Sequence, residues 1–279
     1  MAAGATARGI AGNSDTAASS IRLEQAPGWP RELPNTADLL REVNLPVTGQ
    51  CFLEIFAGHA ALTVCMMFCM VPVIRPWDCK YGEEFNCIDN GWVLFLLVVL
   101  GQMSSTHAGT PCQSVTQARK VPIRSFEWPR GLPVVSAWQR ELLDTGNSLI
   151  EWSALFLCHC DRHDVYASME NPWPSFLWIQ PCVRSLWWSI GWRLVVYSNV
   201  PFGACYQKLT GMLHNTPTLQ GLQQQVDGTV ETVPLSGMVW FEGCWQYRTK
   251  IAEPYVPDMA MTYAELMVQA LDLRQRALE

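Results

Sequence analysis

The sequence predicts an α/β protein with a mostly parallel sheet and helices on both faces, and three observations carry that prediction. Apolar runs of strand length alternate with helix-like stretches: CFLEIF from Cys51, helical character from Ala60 to Met70, then VPVIRPWD. Leu142 to Cys160 (LLDTGNSLIEWSALFLCHC) repeats its apolar residues at helical spacing and is followed by VYASMENP and by WRLVVYS, Trp192 to Ser198. With 279 residues and 49% hydrophobic content the chain can bury the core such a sheet needs. Strands that alternate with helices indicate βαβ units, which bind ligands beyond the carboxyl ends of the strands. Functional residues are therefore expected just after the strands.

The remaining stretches are read in the same way. Residues 1–45 are rich in Ala, Gly, Ser and Thr and then in Pro and charge (APGWPRELPN), which is poor core material, so a disordered leader is expected, with a transit peptide as the other reading. One domain is expected over residues 46–279. Its most apolar run, VLFLLVVL from Val93, is far shorter than the roughly 20 residues of a membrane helix and suits a buried strand or a core helix. A loop is expected after it. The Gln-rich stretch from Thr216 to Thr232 reads as a polar loop, and Thr262 to Leu273 as a helix with Ala264, Leu266, Met267, Ala270 and Leu271 on its apolar face. No membrane partner is expected. A net charge of -6 argues against wholesale wrapping of nucleic acid and leaves room for a local basic groove. Eleven cysteines without a secretory signal pattern suggest reduced thiols in an intracellular protein.

Three constellations can carry chemistry. In THAGTPCQSVTQARK, Cys112 lies in a Pro-Cys-Gln turn on a loop, where a ligand can reach it. A thiolate nucleophile needs its pKa lowered, and Arg119, Lys120 and Arg124 follow closely; the alternative is a structural thiol. In SMENPWPSFLW, Glu170 follows a candidate strand from Asp164 to Ser168 and precedes Asn171-Pro172, so it either points into the strand-end crevice or is a solvated turn residue. CHCDRH brings Cys158, His159, Cys160 and His163 close together, but the spacing is not that of a zinc finger, and no metal is expected. His107 is read as a packing or hydrogen-bonding residue, and the tryptophans mostly as core or strand-flanking residues.

Together these pieces resemble the cytosine-5 DNA methyltransferases, and look closest to a divergent protist-type branch of them. FLEIFAG resembles the first motif of that family, GTPCQS the nucleophile motif and MENPWP the Glu-Asn motif, while PWD places Asp78 where an acidic residue meets the cofactor's ribose. The resemblance covers Cys51 to Phe202 and extends more weakly to Ala260. It implies the Rossmann-like fold of S-adenosylmethionine-dependent methyltransferases, in the nucleus, with S-adenosyl-L-methionine held by Phe56, Ala57, Gly58, Trp77, Asp78 and Asn86. Phe56 would pack beside the adenine, and Gly58, lacking a Cβ, would admit the amino acid end. Glu54 would lie either on the cofactor's side or in a pair with another polar group.

The resemblance further implies that Cys112 adds to carbon-6 of a flipped-out cytosine while Glu170 holds its N3 and exocyclic amine, with Pro111, Gln113 and Asn171 completing the catalytic motifs. Arg119, Lys120 and Arg124 would meet the nucleic acid, DNA or RNA, from a loop that counts four cations (Arg119, Lys120, Arg124, Arg130) against Glu127, and Lys208 would meet it from a later stretch. The sequence departs from the family where Gly58 is followed by His59, Ala60 and Ala61 rather than by glycines. It departs again where VPFGACYQKLTGMLHN offers Lys208 alone for an arginine pair, and where the adenine-contacting acidic residue has only Asn86 or Asp89 to answer for it. A target-recognition region is expected to be reduced or absent, at about 209–240, with specificity supplied by a partner protein. The competing expectation is a catalytically inactive binding module for nucleic acid or protein, of mobile-element origin.

Overall fold

The computed structural model describes residues 50–224, 231–241 and 243–279. The expected leader and residues 225–230 of the Gln-rich stretch lie outside the described residues. In chain order the elements begin with β1 (Cys51–Ile55), α1 (Ala61–Phe68), α2 (Cys87–Asn90), α3 (Trp92–Val99) and β2 (Met103–Ala108). They continue with α4 (Ala137–Arg162), β3 (Tyr166–Pro172), α5 (Pro181–Trp187), β4 (Arg193–Ser198) and β5 (Leu209–His214). The hairpin strands β6 (Met238–Phe241) and β7 (Cys244–Tyr247) precede the final helix α6 (Pro257–Leu278).

The main sheet has the order β1-β2-β3-β5-β4. β1, β2 and β3 are parallel, and β5 runs antiparallel to both β3 and β4, so four of the five strands point the same way. All five residues of β1 are buried, as expected for a strand covered on both faces. Phe52 packs on one face with Leu62 of α1 and Tyr263 and Met267 of α6. Leu53 and Ile55 pack on the other with Leu94 of α3, Trp152 and Phe156 of α4 and Val183 of α5. The expected mostly parallel sheet with helices on both faces is thus present.

Several elements differ from their sequence reading. VLFLLVVL lies almost wholly within α3, where an apolar surface nearly all round matches burial of most of its side chains. VPVIRPWD is not a regular strand. It joins the outer edge of β1 through two isolated bridges, Phe52 to Val73 and Ile55 to Trp77. Pro76 has no N–H to offer where the ladder calls for one, and the Trp77 N–H donates to the Glu54 carbonyl instead, at 2.8 Å. The expected loop after VLFLLVVL contains β2, a central strand whose Ser104, Ser105, Thr106 and His107 are all buried. It is stable there because Thr106 Oγ1 donates to the Leu53 carbonyl at 3.0 Å and Ser104 Oγ to that of Cys51 at 3.3 Å. β3 extends through Glu170, which is therefore in the strand rather than after it. Leu209–His214, at the start of the expected recognition region, forms β5.

Candidate active site

The chain leaves β1 through an irregular turn in which Phe56 (φ 54), Gly58 (φ 54) and Ala60 (φ 53) are all left-handed. Gly58 is the residue suited to that geometry, and a Cβ there would face open space. Its N–H donates to Asp78 Oδ2 at 2.9 Å, and its carbonyl accepts from Tyr81 OH at 2.8 Å and Lys80 Nζ at 3.1 Å. Asp78 Oδ1 also accepts the Lys80 N–H at 2.9 Å, so this carboxylate ties the segment after Trp77 to the turn after β1. Ala57 and Trp77 are buried, and the Phe56 ring meets Trp152 edge-on at 6.1 Å. Asn86 caps α2 by accepting the Ile88 N–H at 3.0 Å, while its amide donates to Asp89 Oδ2 at 2.6 Å.

The two readings of Glu54 are resolved by its partners. Its Oε2 accepts both the N–H and the Oγ1 hydroxyl of Thr63 at 2.7 Å, so the side chain is a polar pair with the first turn of α1. A carboxylate at a helix N-terminus is electrostatically favoured there. Burial dominates nonetheless and pushes its pKa up to about 7.

On the adjacent strand ends, Gly109 lets the loop that carries Cys112 pass close to its neighbours. A Cβ there would lie 3.1 Å from the Phe56 carbonyl and 3.2 Å from Tyr255 OH. Asn171 Nδ2 donates to the Thr110 carbonyl at 2.7 Å, and Asn171 Oδ1 accepts from Ser175 Oγ at 2.7 Å, which fixes the backbone leading through Pro111 to Cys112. The Cys112 carbonyl accepts the N–H groups of Val115 and Thr116 in a tight turn, with Gln113 at its exposed side. The Cys112 thiol is pushed up by burial and by Glu170, and pulled down by Lys208. Lys208, rather than the expected Arg119, Lys120 or Arg124, is thus the cation that acts on it.

Glu170 is buried, and only Oε2 has a protein partner, a long bond from Tyr255 OH at 3.5 Å. Burial raises its pKa against the opposing pull of Lys208 and Tyr255. Lys208 donates to the Ala252 carbonyl at 2.9 Å, at the start of β5. Its charge acts on both Cys112 and Glu170, although the side chain is only half-buried.

Arg124 corrects the expected set of nucleic-acid contacts. It is buried, its Nε and one terminal nitrogen donate to the carbonyl (2.7 Å) and hydroxyl (3.0 Å) of Ser114, and the other donates to Pro129 O at 2.5 Å and Asn147 Oδ1 at 2.8 Å. The guanidinium holds the loop after Cys112 onto α4, with four of its five N–H donors used inside the protein. Arg130 is ion-paired with Glu151, which leaves Arg119 and Lys120 as the cations that this loop can offer.

A buried chain of polar side chains supports Glu170 from behind. His107 Nε2 is 2.8 Å from Tyr255 OH and His107 Nδ1 is 2.8 Å from Ser168 Oγ, which in turn is 2.9 Å from Tyr263 OH. Burial lowers the His107 pKa to about 3 and keeps the ring neutral. Every hydroxyl donates once if the order runs from Tyr263 through Ser168, His107 and Tyr255 to Glu170. Sequence reasoning singled out His107 as a hydrogen-bonding residue, but missed Ser168 and Tyr255. Ser168 could have been found, because it lies two residues before Glu170 and so on the same face of β3. Tyr255 carried no signal.

His159 Nε2 lies 3.3 Å from the Phe95 carbonyl and its ring is tilted against that of His163 at 4.6 Å, and Cys160 is in the core. Among the described residues, no group of three or more His, Cys, Asp or Glu side chains is placed to hold a metal, and no helix is long and apolar enough to cross a membrane.

No protein-family model and no curated protein matches the chain. Among solved structures it is similar to the Dnmt2 methyltransferase of S. pombe, at a TM-score of 0.37 and 12% identity over 59% of this chain and 50% of that one. It is also similar to the methyltransferase EhMeth of Entamoeba histolytica, at 0.35 and 12% over 68% and 58% of the two chains. A mutant DNMT2 of Spodoptera frugiperda matches at 0.32 and 10% over 67% and 55%. The chain thus spans between 50% and 58% of the length of these proteins.

Proposed function

We propose that the chain transfers a methyl group from S-adenosyl-L-methionine to carbon-5 of cytosine in DNA, through a covalent bond from Cys112 to carbon-6. The observation that carries this reading is the meeting of Cys112, Glu170 and Lys208 at the strand ends, beside the open turn of Gly58 and Asp78. Cytosine is a poor methyl acceptor at carbon-5 until a nucleophile adds at carbon-6. Glu170, held towards its protonated form by burial, donates from its unpartnered side to N3 and accepts from the exocyclic amine, which makes the ring electron-poor. Lys208 favours the thiolate of Cys112, and attack at carbon-6 makes carbon-5 nucleophilic. Loss of the carbon-5 proton after methylation expels Cys112 and restores the base.

The residues after β1 fit the adenosine end of the cofactor. Asp78 Oδ1 accepts the Lys80 N–H and the Cys79 thiol, whereas Oδ2 accepts one backbone N–H and keeps a second acceptor site for a ribose hydroxyl. Gly58 leaves space for close approach, with Phe56, Ala57 and Trp77 as the walls and Asn86 further out. When bound, S-adenosylmethionine supplies an electrophilic methyl group. Arg119 and Lys120 meet the nucleic-acid backbone, and the proposal includes a nuclear location and a partner that supplies sequence specificity.

A binding module without turnover is the second reading, favoured by the upward shift of the Cys112 thiol. Incubation with DNA containing 5-fluorocytosine separates the two. The carbon-5 fluorine blocks the final elimination, so the enzyme should form a stable adduct that requires S-adenosylmethionine and is lost in Cys112→Ser. An adduct that persists in Cys112→Ser overturns the assignment of the nucleophile. A folded wild-type chain that forms no adduct is the binding module.

A further inference from the structure

Exposed aromatic side chains gather in two groups, each tied to a residue near the site. On the loop after Cys112 and the start of α4, Phe126, Trp128 and Trp138 are exposed, and Trp138 shows 59% of its surface. This group is anchored directly beside the nucleophile: the Arg119 guanidinium lies 5.7 Å from the Trp138 ring and donates to the Gln113 carbonyl at 3.0 Å. In the second group, the β6–β7 hairpin exposes Trp240 (59%), Trp245 (64%) and Tyr247, with the two indoles edge-to-face at 5.7 Å. The hairpin is rooted next to Lys208. The Val233 N–H donates to the Cys205 carbonyl at 2.7 Å, Leu235 packs with Tyr206 and Ala252, and Ala252 is the residue whose carbonyl Lys208 bonds.

Isolated exposed apolar residues are ordinary, but two aromatic groups that are each tied to neighbours of Cys112 and Lys208 are not. Large planar rings beside a few cations are suited to stacking on base faces. A duplex hides those faces and offers phosphates and groove edges instead. The loop after Cys112 offers few cations for such a contact, because Arg124 is buried and Arg130 is ion-paired, and Lys208 is bonded to the Ala252 carbonyl. We infer that the two aromatic groups form a stacking surface for single-stranded DNA, which holds the nucleotides on both sides of an unpaired cytosine presented to Cys112 and Glu170. The identity of the target base rests on the proposed reaction, whereas the stacking surface does not.

The test measures binding of a short cytosine-containing DNA strand by anisotropy, beside its duplex and the RNA strand of the same sequence. Variants are Trp138→Ala, on the exposed side of a helix where alanine is well tolerated, and Trp240→Ala with Trp245→Ala. Trp188→Ala is the control, because this exposed tryptophan precedes β4 and so lies towards the amino ends of β3 and β4, away from the carboxyl ends where the crevice is. The single strand should bind about tenfold more tightly than the duplex, and Trp138→Ala should lose about tenfold, the usual effect of removing one stacked base. The hairpin variant should lose at least as much and the control nothing. Equal binding of duplex and strand, or strand binding unchanged in both Trp138→Ala and the hairpin variant, overturns the surface, and clearly tighter binding of RNA overturns the assignment to DNA. Strand binding that depends on these tryptophans, without any fluorocytosine adduct, supports the surface and removes the reaction.

Discussion

Cys112 sits between two opposing charges, and its reactivity is set by which of them prevails. Glu170 holds the thiol protonated and Lys208 favours the thiolate, on top of the cost of burial. Glu170→Gln removes the repulsion while keeping the shape, so the alkylation rate of Cys112 by a small thiol reagent at pH 8 should rise, by roughly tenfold per pKa unit gained. Lys208→Met should lower it. Rates unchanged in both variants would show that the three groups are not coupled, and no cofactor or nucleic acid is needed for the measurement. The motif GTPCQS points to Cys112 by itself, and MENPWP to Glu170. The cation that acts on the thiol is not legible in the same way, because Lys208 follows it by nearly a hundred positions and comes near only through the order of the sheet.

At the scale of elements, the loop after Cys112 is positioned by α4. Arg124 spans from Ser114 to Asn147, and Gly146 lets the loop touch the helix: a Cβ there would lie 2.1 Å from Ser114 Oγ and 2.8 Å from its Cβ. Gly146→Ala improves helix propensity by up to ~1 kcal/mol, but the clash costs about 1–3 kcal/mol. A lower midpoint in urea unfolding is therefore expected, and a variant as stable as its parent would show that the loop does not rest on α4. Arg124 shows why a cation count misleads in a loop of this kind. Its charge was legible, but its use depends on three carbonyl and amide oxygens that converge on it from separate parts of the chain.

Across the whole molecule, a buried polar row crosses the sheet in register: Glu54 on β1, His107 on β2, Ser168 on β3 and His214 on β5. This row makes stability depend on pH. Glu54 binds its proton more tightly in the folded chain, with a pKa of about 7 against 4.5 for the free side chain. Its contribution is therefore greatest below pH 4.5 and is lost as the pH rises to 7. Relative to Glu54→Gln, the wild type should lose about 3 kcal/mol between pH 4.5 and 8. Parallel stability curves for the two proteins would show that Glu54 is not buried as a carboxyl group.

The sequence by itself determined the alternation of strands and helices, the turn after β1 and the motif residues Asp78, Cys112, Glu170 and Asn171, since each rests on local pattern or on residues close in the chain. The tertiary structure alone decided that MSSTHA is a central strand, that Arg124 is internal and that Tyr255 stands behind Glu170. Those outcomes share a physical reason: a buried polar group is stable only where distant partners satisfy it, and His107 and Tyr255 are separated by 148 positions. Apolar periodicity reports which face of an element is buried, whereas the pairing of polar side chains is settled only when the elements pack.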